Sequence, residues 1–389
     1  MPKTRTTLKK SAGKGAGSRL SASAGAMDFW MLFSVMILVV MGVTMVFSAS
    51  APYALSRFDD SYFFFRNQLK FALIGFVVMI VTSRIDYHIY KGKVALWGII
   101  VSVILLVMVR VPGIGVEENG SWRWIGLGPL QFQPSEIAKI ALIVFFADRL
   151  SARRIKPTLN LLDLLPYAGI MILFAGLFMI EPHLSCTVIS MLVCLVLLLC
   201  AGARLAYFVV GLAGMTGIGV AAVSFFPYMK DRVDFFINPY LDASGKGYQI
   251  IQSMLAIGSG GLLGRGLGKS MQKFLYLPEP QNDFIFSVLA EELGFVGVVG
   301  VLSVFMIFFF RGMKVAMQAG ELYGSLLAAG ITSLIAIQTF LNMMVVTKLI
   351  PSTGVSLPFF SAGGTSLVIL MAAVGILLNI SRQAGAEKI

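Results

Sequence analysis

The chain has 389 residues, 57% of them hydrophobic and 13% charged, with a mean hydropathy of +0.85 and a formal net charge of +12. So apolar a composition excludes a secreted or cytosolic enzyme. The excess of basic residues has to be accounted for by where those residues fall.

Residues 1–27 are rich in Lys, Ser, Gly and Ala and are expected to form a disordered basic tail. The apolar stretch that follows is too long for the h-region of a signal peptide, so it is expected to be the first span. Runs of about twenty apolar residues then recur, each able to cross a bilayer as a helix that satisfies its own backbone. They place ten spans at about 28–50, 68–84, 94–110, 135–149, 164–181, 184–203, 206–227, 284–310, 322–346 and 364–381. The expected fold is an all-α polytopic membrane protein: a bundle of about ten transmembrane helices over 28–381, with a short tail at 382–389.

An even number of spans puts both termini on one side. That side holds Lys3, Arg5, Lys9, Lys10, Lys14 and Arg19, then Arg84, Lys91, Lys93, Arg149, Arg153, Arg154, Lys156, Arg204, Arg311, Lys314, Arg382 and Lys388. Consistently basic short loops mark the cytoplasmic face. The +12 charge is therefore a topology signal, compatible with a tail on anionic lipid, and no nucleic-acid partner is expected. The opposite face carries segments 51–67, 111–134 and 228–283. The last, a large extracytoplasmic loop between helices 7 and 8, is too long and too amphipathic (Tyr248–Leu255) to be an idle connection.

Cys186, Cys194 and Cys200 fall in the sixth span, with a single His183-x-x-Cys186 beside them. They read as small packing residues, and the sequence holds no dedicated metal cage. The run from Gly258 to Ser270 fails as a nucleotide-binding phosphate loop because Leu263 occupies an obligatory glycine position. Tight turns and a flexible cationic loop near a pyrophosphate both stay open for it.

Ionisable groups inside apolar spans are costly and point to function. Glu136 and Lys139, three residues apart at the start of the fourth span, share a helix face. They read either as an internal ion pair or as a cation aimed at an anionic headgroup. Asp283 stands where the 228–283 loop enters the eighth span. On the residues alone its commoner role is a helix N-cap; the sharper reading is a carboxylate wet enough to ionise and close enough to hydrocarbon to serve a lipid-borne substrate. Glu291 lies about 80° around that helix and roughly 12 Å deeper, and with Glu292 it is expected to pair within the bundle. Arg232, Asp234 and Asp242 surround Asn238-Pro-Tyr240 in the loop.

Several strings then occur in order along nearly the whole chain after residue 27. They are Phe47-Ser-Ala-Ser50, Gly120-Ser-Trp-Arg-Trp-Ile125, Gln133-Pro-Ser-Glu-Ile-Ala-Lys139, Asn238-Pro-Tyr240 and Gly247-Tyr-Gln249. Ser259-Gly-Gly-Leu262, Leu277-Pro-Glu279, Asp283-Phe-Ile-Phe286, Glu291-Glu-Leu-Gly294 and Thr353-Gly-Val-Ser-Leu-Pro-Phe-Phe-Ser-Ala-Gly-Gly364 follow. With them the chain resembles the shape, elongation, division and sporulation (SEDS) family of peptidoglycan polymerases. The Ser-Ala-Ser end of the first span and Tyr276-Leu-Pro-Glu-Pro280 are more similar to its FtsW and SpoVE branches than to RodA. Pro182-His-Leu-Ser185 departs from the commoner Pro-Asp-Leu-Gly by losing an acid.

The resemblance implies a ten-helix bundle in the bacterial plasma membrane with both termini cytoplasmic, acting at the division septum or in sporulation. It implies a glycosyltransferase that polymerises lipid II, the undecaprenyl-pyrophosphoryl disaccharide-pentapeptide, into β-1,4 glycan. The implied partners are a class B penicillin-binding protein and other divisome membrane proteins. Carried onto this chain, the essential acid is Asp283, and Lys139, Glu136, Arg123, Arg232 and Gln133 are the substrate-binding candidates. Asp283 would take the proton of the attacking hydroxyl. Lys139, Arg123 and Arg232, in that order of preference, would neutralise the leaving pyrophosphate, with Glu136 positioning Lys139. No cofactor is firmly implied, and Mg²⁺ or Mn²⁺ is compatible with this chemistry. A lipid II flippase and a non-catalytic scaffold recruiting the penicillin-binding protein are the rival readings, since intramembrane charges also mark transport paths.

Overall fold

The computed structural model describes residues 25–118, 121–127, 130–152, 161–225, 227–245 and 247–386. Nearly all of the expected basic tail, the basic loop around Arg153, Arg154 and Lys156, and Lys388 lie outside them. The described helices are α1 (Phe29–Phe58), α2 (Phe63–Arg84), α3 (Lys93–Met108), α4 (Pro134–Ala152), α5 (Leu161–Ile180) and α6 (Leu184–Cys200). They continue with α7 (Leu205–Phe225), α8 (Pro227–Ile237), α9 (Tyr248–Gly260), α10 (Ile285–Gln318), α11 (Leu322–Val346) and α12 (Gly364–Ala386).

The ten expected spans correspond to α1–α7 and α10–α12. Among the described residues, α1, α2, α5, α10, α11 and α12 contain stretches long and apolar enough to cross a membrane, and α3, α6 and part of α7 are shorter apolar helices. The 19-residue α4 carries Glu136, Lys139 and Asp148, all buried. These three face the bundle interior, where partners can compensate them, while Arg149 near the end of the helix is exposed.

Several boundaries differ from expectation. The first helix runs through Pro52 to Phe58 and ends where Asp59 turns left-handed (φ 56°), its N–H bonded to the Leu55 carbonyl. It thus absorbs part of the 51–67 segment. At the other end of the chain α10 continues well past residue 310, and α12 takes up most of the expected 382–389 tail. The 228–283 loop is itself organised: α8, a 3-10 turn at Pro239–Asp242 and α9 fill its first half.

Polar contacts pin the helices at their basic ends. Asp28 caps α1 by accepting from the Met31 N–H at 3.0 Å, and the Arg311 guanidinium of α10 grips the same carboxylate at 2.9 and 3.0 Å. Between α2 and α12, Thr82 donates to the Ala372 carbonyl (3.1 Å). Asn379 bridges the Tyr87 N–H and the Ser83 carbonyl. Such bonds are valuable where the surrounding solvent is hydrocarbon.

The opposite end of the bundle holds two features that composition did not reveal. Strands β1 (Gly115–Glu118), β2 (Ser121–Leu127) and β3 (Leu130–Phe132) form an antiparallel sheet in the order β1-β2-β3, with Ile125 opposite both Gly115 and Phe132. Ile125 is buried, while Arg123 two positions before it reaches the neighbouring helix turn. The second feature is a break in α10 at Gly294 (φ 65°, ψ −169°), a geometry that only glycine adopts cheaply. The chain following α9 repairs it. The N–H groups of Phe295 and Val296 donate to Gly261 and Leu262, and those of Arg265 and Gly266 donate to Glu291 and Glu292. The glycine-rich run therefore docks its backbone against a helix interruption, which explains its composition without any bound phosphate.

Candidate active site

Asp283 is the last residue but one before α10. The N-cap position falls on Phe284, and no side chain caps the helix. The capping role that spacing favoured is therefore not the one Asp283 plays. Its backbone is fixed instead: Asn342 of α11 donates to the Asp283 carbonyl at 2.8 Å and to the Val355 carbonyl at 2.6 Å. One residue earlier, Ser361 donates to the Asn282 carbonyl at 2.8 Å. Gly354, with φ 70°, faces the Asp283 carboxylate so closely that a Cβ there would stand 3.3 Å from Oδ2. The carboxyl is thus aimed by a frame drawn from α11 and the 353–364 segment.

Enclosure by protein pushes the Asp283 carboxyl up to about 6, against the opposing pull of Arg123 and Arg232 and with Glu279 adding to the rise. Both arginines are anchored through backbone carbonyls. Arg123 of β2 donates to those of Glu181 and Pro182, in the turn between α5 and α6. Arg232 of α8 donates to that of Ser352, next to the segment facing Asp283. The same segment is tied to α6, since Ser185 donates to the carbonyls of Thr353 and Gly354.

The third cation is held differently. Lys139 and Glu136 form an ion pair at 2.7 Å, both almost wholly buried, and Ser366 of α12 donates to the other Glu136 oxygen at 3.0 Å. Both open readings of the pair keep support here: it is an internal ion pair, and it also borders the site. His183 makes the connection. Burial and the positive charges of Arg123, Lys139 and Arg232 hold its imidazole well below the usual range, so the ring is neutral. It lies 3.4 Å from Gln133 and 3.5 Å from Cys186. All three cation candidates therefore act on one side chain. Lys139→Met is expected to leave the Glu136 carboxylate buried without its partner, costing about 3–5 kcal/mol; thermal unfolding in detergent measures it.

An apolar cavity of about 230 Å³ opens beside this cluster, with Arg232 among lining residues from α6, α7, α8 and α11 such as Val188, Gly219, Val223 and Leu341. A larger, more open one of about 650 Å³ lies at the end of α1 between Pro52 and Phe274 and contains none of the cluster residues. Among the described residues, no group of three or more His, Cys, Asp or Glu side chains is gathered as a metal site.

Sequence reading gave no functional role to Glu181 or Arg110, and treated His183 as a lone neighbour of Cys186 and a departure from pattern. Arg110 follows α3 and donates to the Ile180 carbonyl, so these residues meet across the α5–α6 turn. Glu181, directly after an apolar helix and before Pro182, was the available signal: a carboxylate at a span boundary, like Asp283.

The architecture and cluster define a polytopic membrane protein with a carboxylate and several cations gathered at the non-basic end of its helices. A family model described as cell cycle protein, covering FtsW, RodA and SpoVE, matches residues 29–386, and the chain belongs to that family. It is 45% identical over 364 residues to stage V sporulation protein E of Bacillus subtilis (strain 168), covering 92% of this chain and 97% of that protein. It is 42% identical to a probable peptidoglycan glycosyltransferase FtsW of Geobacter sp. (strain M18), covering 92% and 98%. Among solved structures, a peptidoglycan synthase complex described as coordinating polymerization and crosslinking aligns with a TM-score of 0.75 at 30% identity, over 92% of this chain and 98% of that one. The Thermus thermophilus rod shape determining protein RodA aligns with a TM-score of 0.68 at 27% identity, over 92% and 97%. The stronger identity to SpoVE and FtsW agrees with the branch suggested by Ser48-Ala-Ser50 and Tyr276–Pro280.

Proposed function

We propose that this protein is a peptidoglycan glycosyltransferase that polymerises lipid II into β-1,4 glycan strands, with Asp283 as general base. The observation that carries this reading is a carboxyl at the entry to α10, framed by Asn342, Ser361 and Gly354 and lying in the field of two arginines. A sugar 4-hydroxyl is a poor nucleophile unless a base takes its proton during attack. A carboxyl held near 6 is ionised at neutral pH yet basic enough to do so. The proton passes from the hydroxyl to Asp283 as the new glycosidic bond forms and the bond to pyrophosphate breaks, inverting the anomeric centre.

Arg123 and Arg232, whose charges reach Asp283, would stabilise the departing pyrophosphate. Lys139, engaged by Glu136, supports them across His183, and Gln133 keeps the imidazole oriented. This reading puts the two arginines ahead of Lys139, which the sequence alone placed first. The apolar cavity beside Arg232 suits the start of a polyprenyl tail entering from the bilayer. If Mg²⁺ or Mn²⁺ takes part, it would supply further charge neutralisation at the pyrophosphate; Glu279, whose charge reaches this site, would be the carboxylate left to help hold it while Asp283 stays free to take the proton.

The basic ends of the helices then face the cytoplasm, both termini included, and the site faces the cell exterior. The bilayer is the bacterial plasma membrane and the place of action the division septum or a sporulation septum. A class B penicillin-binding protein is the expected partner, consistent with the polymerising and crosslinking complex whose fold this chain shares; other divisome membrane proteins would join it.

Reconstitution with fluorescent lipid II, with and without a cognate class B partner, tests the proposal. Polymer that depends on this chain supports it. Translocation of lipid II across liposomes without polymer would favour a flippase. Growth that tolerates loss of charge at Asp283, Glu136 and Lys139 would favour a scaffold.

A further inference from the structure

Glu181 has no role in the mechanism above, although it sits at the centre of the arginine anchors. Its side chain is fully buried, and neither carboxyl oxygen has a hydrogen-bond partner among the described residues. Arg123 and Arg110 flank it, yet both spend their hydrogen bonds on the backbone carbonyls of residues 180–182. An ionised carboxylate in such a place would be expected to claim a guanidinium, because the charge-assisted pair is far stronger than a bond to a carbonyl. A buried anion with no donor is costly, whereas a neutral acid is tolerated.

We propose that Glu181 is a positioning residue that works as an uncharged acid, leaving the charge of Arg123 to the anionic substrate, and that its ionisation withdraws that charge and turns the site down. The inference rests on the glycosyltransferase reading of the site. Burial pushes the Glu181 carboxyl up to about 8 against the pull of Arg123 and Arg110. The groups facing it are Arg123 from β2, Arg110 after α3 and, from α6, Cys186, whose thiol feels its charge. Lysine and arginine charges titrate well above this range, so the carboxyl is the group that changes there. The acid supplies no substrate contact; it releases a proton to solvent as pH rises, and the carboxylate formed then pairs with Arg123. Arg123 also acts on Asp283, so the pairing raises the base's own affinity for protons and weakens the hold on pyrophosphate at once.

The test uses the full chain with its class B partner, in two measurements. In the first, kcat/KM for lipid II is followed with pH, each variant normalised to its own rate at neutral pH. The wild type is expected to fall about tenfold between about pH 7 and about pH 9. Glu181→Gln, which cannot ionise, is expected to show no such fall, and Glu181→Asp to restore one. Equal falls in wild type and Glu181→Gln would overturn the proposal. The second measurement is an infrared titration of the same protein without substrate. A protonated-carboxyl C=O band lost over that pH range in wild type and missing from Glu181→Gln supports the proposal; a wild type without the band at neutral pH overturns it. This arm needs no turnover, so failure of the catalytic reading, seen as an Asp283→Asn variant that still polymerises, remains distinguishable.

Discussion

Asp283→Asn is expected to abolish glycan synthesis from lipid II in the purified complex, a loss of about 10²–10⁴-fold if the residue acts as general base alone. The substitution keeps side-chain volume and leaves the frame intact, because Asn342 and Ser361 hold backbone carbonyls rather than the carboxyl. Folding and partner capture are therefore expected to survive, and polymer at the wild-type level would sink the assignment. The pH profile gives an independent reading. Burial raises the Asp283 carboxyl to about 6, and a base works only when deprotonated. Activity is then expected to be lost as pH falls through about 6, by about tenfold per unit below it, with lipid II turnover as the measurement. A profile flat down to about pH 5 would exclude this carboxyl as the titrating base.

How much of this site could be read beforehand follows from what periodicity records. Long apolar runs are visible without tertiary knowledge, because hydrocarbon imposes the same length on each, and the ten spans were legible for that reason. Glu136 and Lys139 were legible as a pair because three residues on a helix fix a shared face. What escaped was everything that depends on a distant partner. The two arginines around Asp283 come from β2 and α8, about 160 and 51 residues away in sequence, and no local pattern says that they converge. The sheet escaped because the alternation around Trp122, Arg123, Trp124 and Ile125 is short and lies inside the 111–134 segment between spans, where nothing else marks a strand. Asp283 was placed correctly at its boundary, yet local rules could not separate a cap from a free carboxyl; that decision needed the helix to begin at Ile285.

Lys273→Met is expected to destabilise the protein by about 3–5 kcal/mol and to lower polymerisation although Lys273 lies ten residues from Asp283. Lys273, on the stretch between α9 and α10, forms a buried ion pair with Glu292 at 2.9 Å and donates to Ser48 of α1 at 3.1 Å; Ser48 in turn donates to Glu292 at 2.7 Å. The neighbouring Glu291 accepts from Ser270 and from the N–H groups of Met271 and Gln272. Two consecutive acids just before the Gly294 break therefore hold the strand of chain that ends in Asp283. Removing only the lysine leaves Glu292 charged and enclosed, which is the costly half of a broken pair. The double variant Lys273→Met/Glu292→Gln is expected to recover much of the stability, since no buried charge is stranded, but less of the activity, since the tether to α1 stays cut. Thermal unfolding in detergent and polymer yield, measured on both variants, separate the two effects. Equal recovery of both would mean that the clamp stabilises the bundle without aiming its carboxylate.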